Sequence, residues 1–265
     1  MIELRNLTHV FNPNSLDERI AIKNINLTVK EGDFITIIGS NGAGKTTLFN
    51  LIAGTYKPTK GQIFINGIDV TNDPEYKRAK YIGRIFQNPL LGTASNMSLE
   101  DNMMICYRKG FKWPVVSLDH RMRELFKQEL KRLQMGLENR MKDNLALFSG
   151  GQRQALTLLM MVLSRPALIL LDEHTAALDP KNAHKILTLT KEFIEEYHLT
   201  AMMITHNMSQ AIEYGNRLLM MDEGEIILDI SGEEKKRLTV ENLIERFHKL
   251  RHRSYEDDRA LLSED

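Results

Sequence analysis

Apolar and polar residues alternate along residues 2–10 and again along 20–30, with β-branched side chains prominent in both stretches. That period suits two half-buried strands, and Asn12-Pro13-Asn14-Ser15 between them supplies a turn. The pattern changes at Asp33-Phe34-Ile35-Thr36-Ile37-Ile38, a nearly continuous apolar run that predicts a strand buried on both faces. Thr46 to Ala53 then takes helical spacing and is closed by Gly54. Gln62-Ile63-Phe64-Ile65-Asn66-Gly67 reads as one more short strand ending in a turn. The N-terminal region is therefore expected to form an antiparallel layer around a strand–loop–helix unit, with Phe11 on that layer.

Tyr81 to Phe86 is again strand-like and runs into Gln87-Asn88-Pro89. From Ser98 to about Asn139 the spacing turns helical: Met122, Leu125, Phe126, Leu130 and Leu133 mark one face, with Arg121, Lys127, Glu129 and Lys131 opposite. Because this segment interrupts a strand–helix alternation, it predicts an inserted helical subdomain at about 90–160. Lys109 to Trp113, basic and aromatic, reads as a solvated loop. After Ser149 come a helix, the apolar strand Ala167 to Asp172, an amphipathic helix over 181–198, and a buried strand Ala201 to Thr205. A hairpin then turns at Glu223-Gly224. Residues 231–265 form a charged tail with one expected helix, Val240 to Arg251, and a polar end from Ser254 to Asp265 expected to fray. The whole pattern predicts an α/β protein: a mostly parallel sheet flanked by helices, an N-terminal antiparallel β layer and an inserted α-helical subdomain.

Composition narrows the class. The 265 residues carry 35 basic and 35 acidic side chains, a formal net charge of zero, so no basic field points to nucleic acid. Cys106 is the single cysteine, which excludes an internal disulfide and fits a reducing compartment. Met1-Ile2-Glu3-Leu4-Arg5 lacks the apolar segment of a secretory signal, and no apolar run is long enough to cross a membrane. A cytoplasmic protein is expected, whose membrane role, if any, comes through a partner.

Candidate chemistry starts at Gly39-Ser40-Asn41-Gly42-Ala43-Gly44-Lys45-Thr46-Thr47, which satisfies G-x-x-x-x-G-K-[ST] between the predicted strand and helix. A loop in that place aims backbone N–H groups and a helix N-terminus at one spot, which suits a polyphosphate. Lys45 is expected on the β- and γ-phosphate oxygens and the Thr46 hydroxyl on Mg²⁺. Asp172, at the end of an apolar strand, is the companion expected to orient Mg²⁺, and Glu173 a candidate to polarise an attacking water. Phe148-Ser149-Gly150-Gly151-Gln152, just before a helix, is a second anion-binding candidate. Residues alone leave open which phosphate it would meet.

These motifs occur in a fixed order: the phosphate loop, Gln87 after a strand, Ser-Gly-Gly-Gln, the apolar strand into Asp172-Glu173, Ala177-Leu178-Asp179, and a lone His206 after a strand. In that order the chain resembles the ATPase subunits of ABC transporters, over roughly residues 2–230. The resemblance implies a P-loop NTPase core over 1–230, followed by the short tail 231–265. It implies ATP and Mg²⁺ as ligands, with Gly39 through Thr47 around the nucleotide and Phe11 stacked on adenine. Thr46, Gln87 and Asp172 would serve the metal. Such subunits dimerise head-to-tail, so Ser149, Gly150, Gly151 and Gln152 would meet the γ-phosphate held by the other copy, and Asp179 would lie at the interface. Gln87 would also contact the attacking water and couple the site to a transmembrane permease. His206 would bond the γ-phosphate and keep Glu173 in place.

Three positions depart from the family pattern. Phe148 replaces the usual Leu, His174 the common Pro, and Ala176 the common Ser. None supplies the essential carboxylate or amide; His174 beside Glu173 reads mainly as structural. The string Glu173 to Asp179, with Leu90-Leu91-Gly92-Thr93 and Leu219-Met220-Met221, is similar to one bacterial subgroup. Those subunits stand beside permeases and extracytoplasmic substrate-binding proteins of uptake systems assigned to tryptophan or tyrosine. The expectation is an importer ATPase held at the cytoplasmic face of the membrane by its permease. An exporter subunit is the nearest alternative. A non-transport ABC protein would normally carry two such domains or a long coiled coil, and a simple kinase or GTPase would lack Ser-Gly-Gly-Gln.

Overall fold

The computed structural model describes residues 1–88, 90–107 and 118–261, with side chains described through residue 250. Pro89 and the Lys109–Trp113 patch lie outside the described residues. In chain order the strands are β1 (Ile2–Phe11), β2 (Arg19–Val29), β3 (Phe34–Gly39), β4 (Lys60–Ile65), β5 (Ile68–Asp69), β6 (Ile82–Ile85), β7 (Leu168–Asp172), β8 (Ala201–Ile204), β9 (Arg217–Asp222) and β10 (Glu225–Ser231). The helices are α1 (Lys45–Ala53), α2 (Glu75–Arg78), α3 (Leu99–Tyr107), α4 (His120–Arg132), α5 (Gly150–Leu163), α6 (Pro180–Glu196), α7 (Met208–Glu213), α8 (Gly232–Lys236) and α9 (Val240–Leu261).

Two sheets result. The N-terminal layer has the order β2-β1-β4-β5 and is antiparallel throughout. The second has the order β10-β9-β3-β8-β7-β6, parallel except for the β9–β10 hairpin. β3 runs between β8 and β9, and alternate residues pack into different apolar clusters, Ile35 and Ile37 into one and Phe34 and Ile38 into others, so Phe34 to Ile38 are all buried. This explains a continuous apolar run where edge strands alternate. α1 packs between the layers through Leu48, Phe49, Leu51 and Ile52, none of them exposed. Its C-terminal carbonyls at Leu51 and Ile52 accept from Arg78, whose guanidinium is fully buried. The helices α3, α4 and α5 lie in the chain between β6 and β7 and share one apolar cluster that includes Phe126, Leu130, Phe148 and Leu156.

The tail differs from expectation. α9 runs on to Leu261 rather than fraying from Ser254, because no glycine or proline interrupts residues 251–261. α9 is anchored by Leu243, which is fully buried against Ala211, Leu218 and Met220.

Candidate active site

The phosphate loop leaves the carboxyl end of β3 and enters α1, where the sheet opens beside two of its parallel neighbours. Two glycines are there for space. A Cβ on Gly39 would lie 2.1 Å from Met221 O on β9, and one on Gly44 (φ +94°) would lie 2.5 Å from Ala21 O. The end of β9 and the turn after it brace the loop from outside: Ser40 Oγ donates to Asp222 Oδ1 at 2.6 Å, and Gly224 N–H to Ala43 O at 3.2 Å. Lys45 is 6% exposed and its Nζ donates to Gly39 O and Ser40 O, each at 2.9 Å. Burial pushes its ammonium below the ordinary range, while Glu173 and Asp172 pull it back up. An ammonium held only by its own loop carbonyls beside two carboxylates is poised for a phosphate anion.

Asp172 ends β7 opposite the first turn of α1, with its Oδ1 3.5 Å from Thr46 Oγ1. Burial raises its carboxyl pKa; Arg84, whose Nη2 lies 3.2 Å from Oδ2, lowers it, and Glu173 raises it again. Two hard oxygens, one hydroxyl and one carboxylate, fit Mg²⁺, which takes few protein ligands and completes its shell with water and phosphate. Glu173 follows in a left-handed conformation (φ +47°), a costly choice for a residue with a side chain. Its backbone N–H donates to Ile204 O at 3.2 Å, and its Oε1 lies 2.6 Å from His206 Nε2. The turn after Glu173 is pinned by His174, 2% exposed, with Nε2 3.1 Å from Thr190 Oγ1 on α6. Burial pushes that imidazole down to about 4.

Lys45, Thr46, Glu173 and His206 share one cavity of about 250 Å³, lined also by Phe11, Asn41 through Ala43, Gly44, Thr47, Arg19 and Ala21, while Gly39, Ser40 and Asp172 stand behind its wall. Phe11 is held edge-on by His9 and Tyr56, at ring separations of 4.7 and 5.5 Å. Arg19 was not signalled by any motif. The β1–β2 register pairs it with Phe11, and its Nη2 donates to Gly42 O at 3.3 Å, so the hairpin delivers a cation to the loop. Arg84 was likewise unmarked. A larger hollow of about 840 Å³ lies near Lys30, Arg217 and Lys235. Two of its cations are already engaged: Arg217 by Asp229 and Asp33, and Lys235 by the carbonyls of Ile212, Tyr214 and Gly215.

Other predicted residues stand apart from the cavity. Gln87, just past β6, is exposed and lines none of it. Ser149, Gly150, Gly151 and Gln152 are also absent from its lining. Ser149 caps α5 in a reciprocal capping box with Gln152. Gly151 packs on Asn182, which in turn bonds Asp179, the cap of α6, through its amide N–H at 3.1 Å and its Nδ2 at 2.6 Å. Glycine cluster and Asp179 thus form one patch.

Comparison with known proteins accords with this geometry. A family model described as ABC transporter matches residues 22–176. The tyrosine transport ATP-binding protein of Clostridioides difficile is 40% identical over 249 residues, covering 93% of this chain and 98% of that protein. Among solved structures, a dimeric ATP-binding cassette from Methanocaldococcus jannaschii, bound to ADP and Pi in a post-hydrolysis state, aligns with a TM-score of 0.71. Its sequence identity is 30%, over 87% of this chain and 98% of that one. The cbiO1 subunit of a Clostridium perfringens ABC transporter complex aligns with a TM-score of 0.73 at 27% identity, over 92% and 93% of the two chains. Motif order, fold and relatives agree: the chain belongs to the ATP-binding subunits of ABC transporters and is an ATPase of that family.

Proposed function

We propose that the chain drives an ABC importer as a head-to-tail homodimer enclosing two Mg·ATP, with its permease holding it at the cytoplasmic face of the membrane. One observation carries the dimer. The cavity with Lys45, Thr46, Glu173 and His206 contains no residue of Ser149–Gln152, which present a capped helix N-terminus elsewhere on the surface. A second copy supplies what the first lacks. In the closed dimer, Lys45 and the loop N–H groups neutralise the β- and γ-phosphates while the partner's cluster covers the γ-phosphate from the other side. Thr46 and Asp172 hold Mg²⁺, which supplies charge neutralisation when bound. Glu173 accepts a proton from the attacking water, and the 2.6 Å contact with His206 fixes its carboxylate. Phe11 offers its ring to adenine. Gln87, beside the exposed Leu90 and Leu91, faces the permease.

Import of an aromatic amino acid, delivered by an extracytoplasmic binding protein, is supported by the tyrosine-transport relative. The dimer is tested with Glu173→Gln, which removes the base and keeps the fold. Light scattering should give twice the monomer mass with Mg·ATP and the monomer mass without it. A variant that stays monomeric at saturating nucleotide overturns the proposal.

A further inference from the structure

Arg84 is a cation inside a strand whose other described residues, Ile82, Gly83 and Ile85, are apolar, and its side chain is 11% exposed. Its Nη1 donates to Asn50 Oδ1 at 2.7 Å and its Nη2 to Asp172 Oδ2 at 3.2 Å. Its Nε is buried without a partner among the described residues, a cost an apolar residue would avoid. Asn50 lies one helical turn beyond Thr46 on α1, so both face the same way. The guanidinium therefore ties α1 to β7 directly beside the pair Thr46 Oγ1 and Asp172 Oδ1.

We propose that Arg84 is a positioning residue of the metal site: by bridging Asn50 and Asp172 it leaves a single Asp172 oxygen facing Thr46. With Oδ2 turned to the guanidinium, Oδ1 is the oxygen the carboxylate presents beside Thr46 to a divalent ion or its bound water, and the α1–β7 separation is set before nucleotide arrives. The same guanidinium rests 4.7 Å from the Phe86 ring, next to Gln87. Displacement of the segment carrying Gln87 would thus be felt at the metal carboxylate. The inference rests on Thr46 and Asp172 being the Mg²⁺ site.

The test is binding of a fluorescent ATP analogue with EDTA and with Mg²⁺, alongside the EPR line shape of Mn²⁺ in the ternary complex. Arg84→Met should cut the metal-dependent gain in affinity by about tenfold and broaden the Mn²⁺ signal, leaving affinity in EDTA essentially unchanged. Arg84→Lys keeps the charge but cannot span both partners, and should fall between wild type and Arg84→Met. Adding Arg84→Met to Asp172→Asn should reduce the gain no further than Asp172→Asn alone. A wild-type gain in Arg84→Met, an equal loss in EDTA, or additive losses in the double variant would each overturn the proposal. If Arg84→Met does not fold, a folded Arg84→Lys with the full metal gain overturns it equally. A wild-type protein with no metal gain sinks the metal-site reading itself, and this inference with it.

Discussion

Replacing His174 with Gln should remove one acid-sensitive contribution to stability. The imidazole is 2% exposed, and Thr190 Oγ1 already donates to Ile186 O at 2.7 Å, so the hydroxyl accepts from the ring and Nε2 carries the proton. With its pKa pushed down to about 4 by burial, the ring stays neutral in the folded chain. The unfolded chain protonates it near the ordinary value of about 6.5. Below that pH the unfolded state binds more protons, so acid favours unfolding. The stabilisation is complete above about 6.5 and is lost as pH falls toward 4. At roughly 1.36 kcal/mol per pH unit the full gap amounts to about 3 kcal/mol, of which about 2 kcal/mol is gone by about pH 5. Urea unfolding of wild type and His174→Gln between about pH 7.5 and about pH 5 isolates this group, because other titrations cancel in the difference. The variant should start less stable, and the gap should shrink by about 2 kcal/mol on acidification. A gap independent of pH refutes the reasoning.

Other outcomes follow from the same geometry. Gly39→Ala places a Cβ 2.1 Å from Met221 O, where β3 and β9 are paired, and should cost about 2 kcal/mol or more in thermal or urea unfolding; unchanged stability would show that the loop relaxes freely. Phe11→Ala should weaken ATP by about 1–3 kcal/mol in calorimetry, with much less effect on inorganic triphosphate. An equal loss for both ligands would remove the ring from adenine recognition. Lys45→Ala should lower ATP affinity by about tenfold or more without changing the melting temperature in the absence of ligand by more than a few degrees; undiminished affinity would sink the loop assignment.

How far the sequence carried depends on distance along the chain. Gly39–Thr47 is a local signal, since strand, glycines, lysine and helix are contiguous, and the structure bends them as that order requires. Ser149 with Gln152 is equally local, a capping box written within four residues. Arg19 and Arg84 were invisible for the opposite reason. The first acquires its role from the β1–β2 register, the second from β6 lying beside β7, whose Asp172 is remote in sequence. In a one-dimensional pattern a lone cation in a strand reads as a solvent-facing residue. His174 was legible as a departure from the family pattern, while its buried partner Thr190 on α6 was not. The tail helix outruns its expected end at Arg251 because a polar stretch free of glycine and proline still propagates a helix.

The central claim is that each site is completed by a second copy, and mixing two inactive variants tests it most directly. Gly150 suits the purpose: a Cβ there meets nothing closer than Leu178 Cδ2 at 3.9 Å, and an acid at the first turn of α5 is favourable to the helix. Gly150→Asp should therefore fold and bind ATP, yet repel the partner's γ-phosphate, and Lys45→Ala should fail on its own loop. Neither should hydrolyse ATP alone. Mixed, they form dimers with one site built from the intact loop of the first and the intact glycine cluster of the second, and ATP hydrolysis should return. No recovery on mixing, or full activity of Gly150→Asp by itself, would contradict the account.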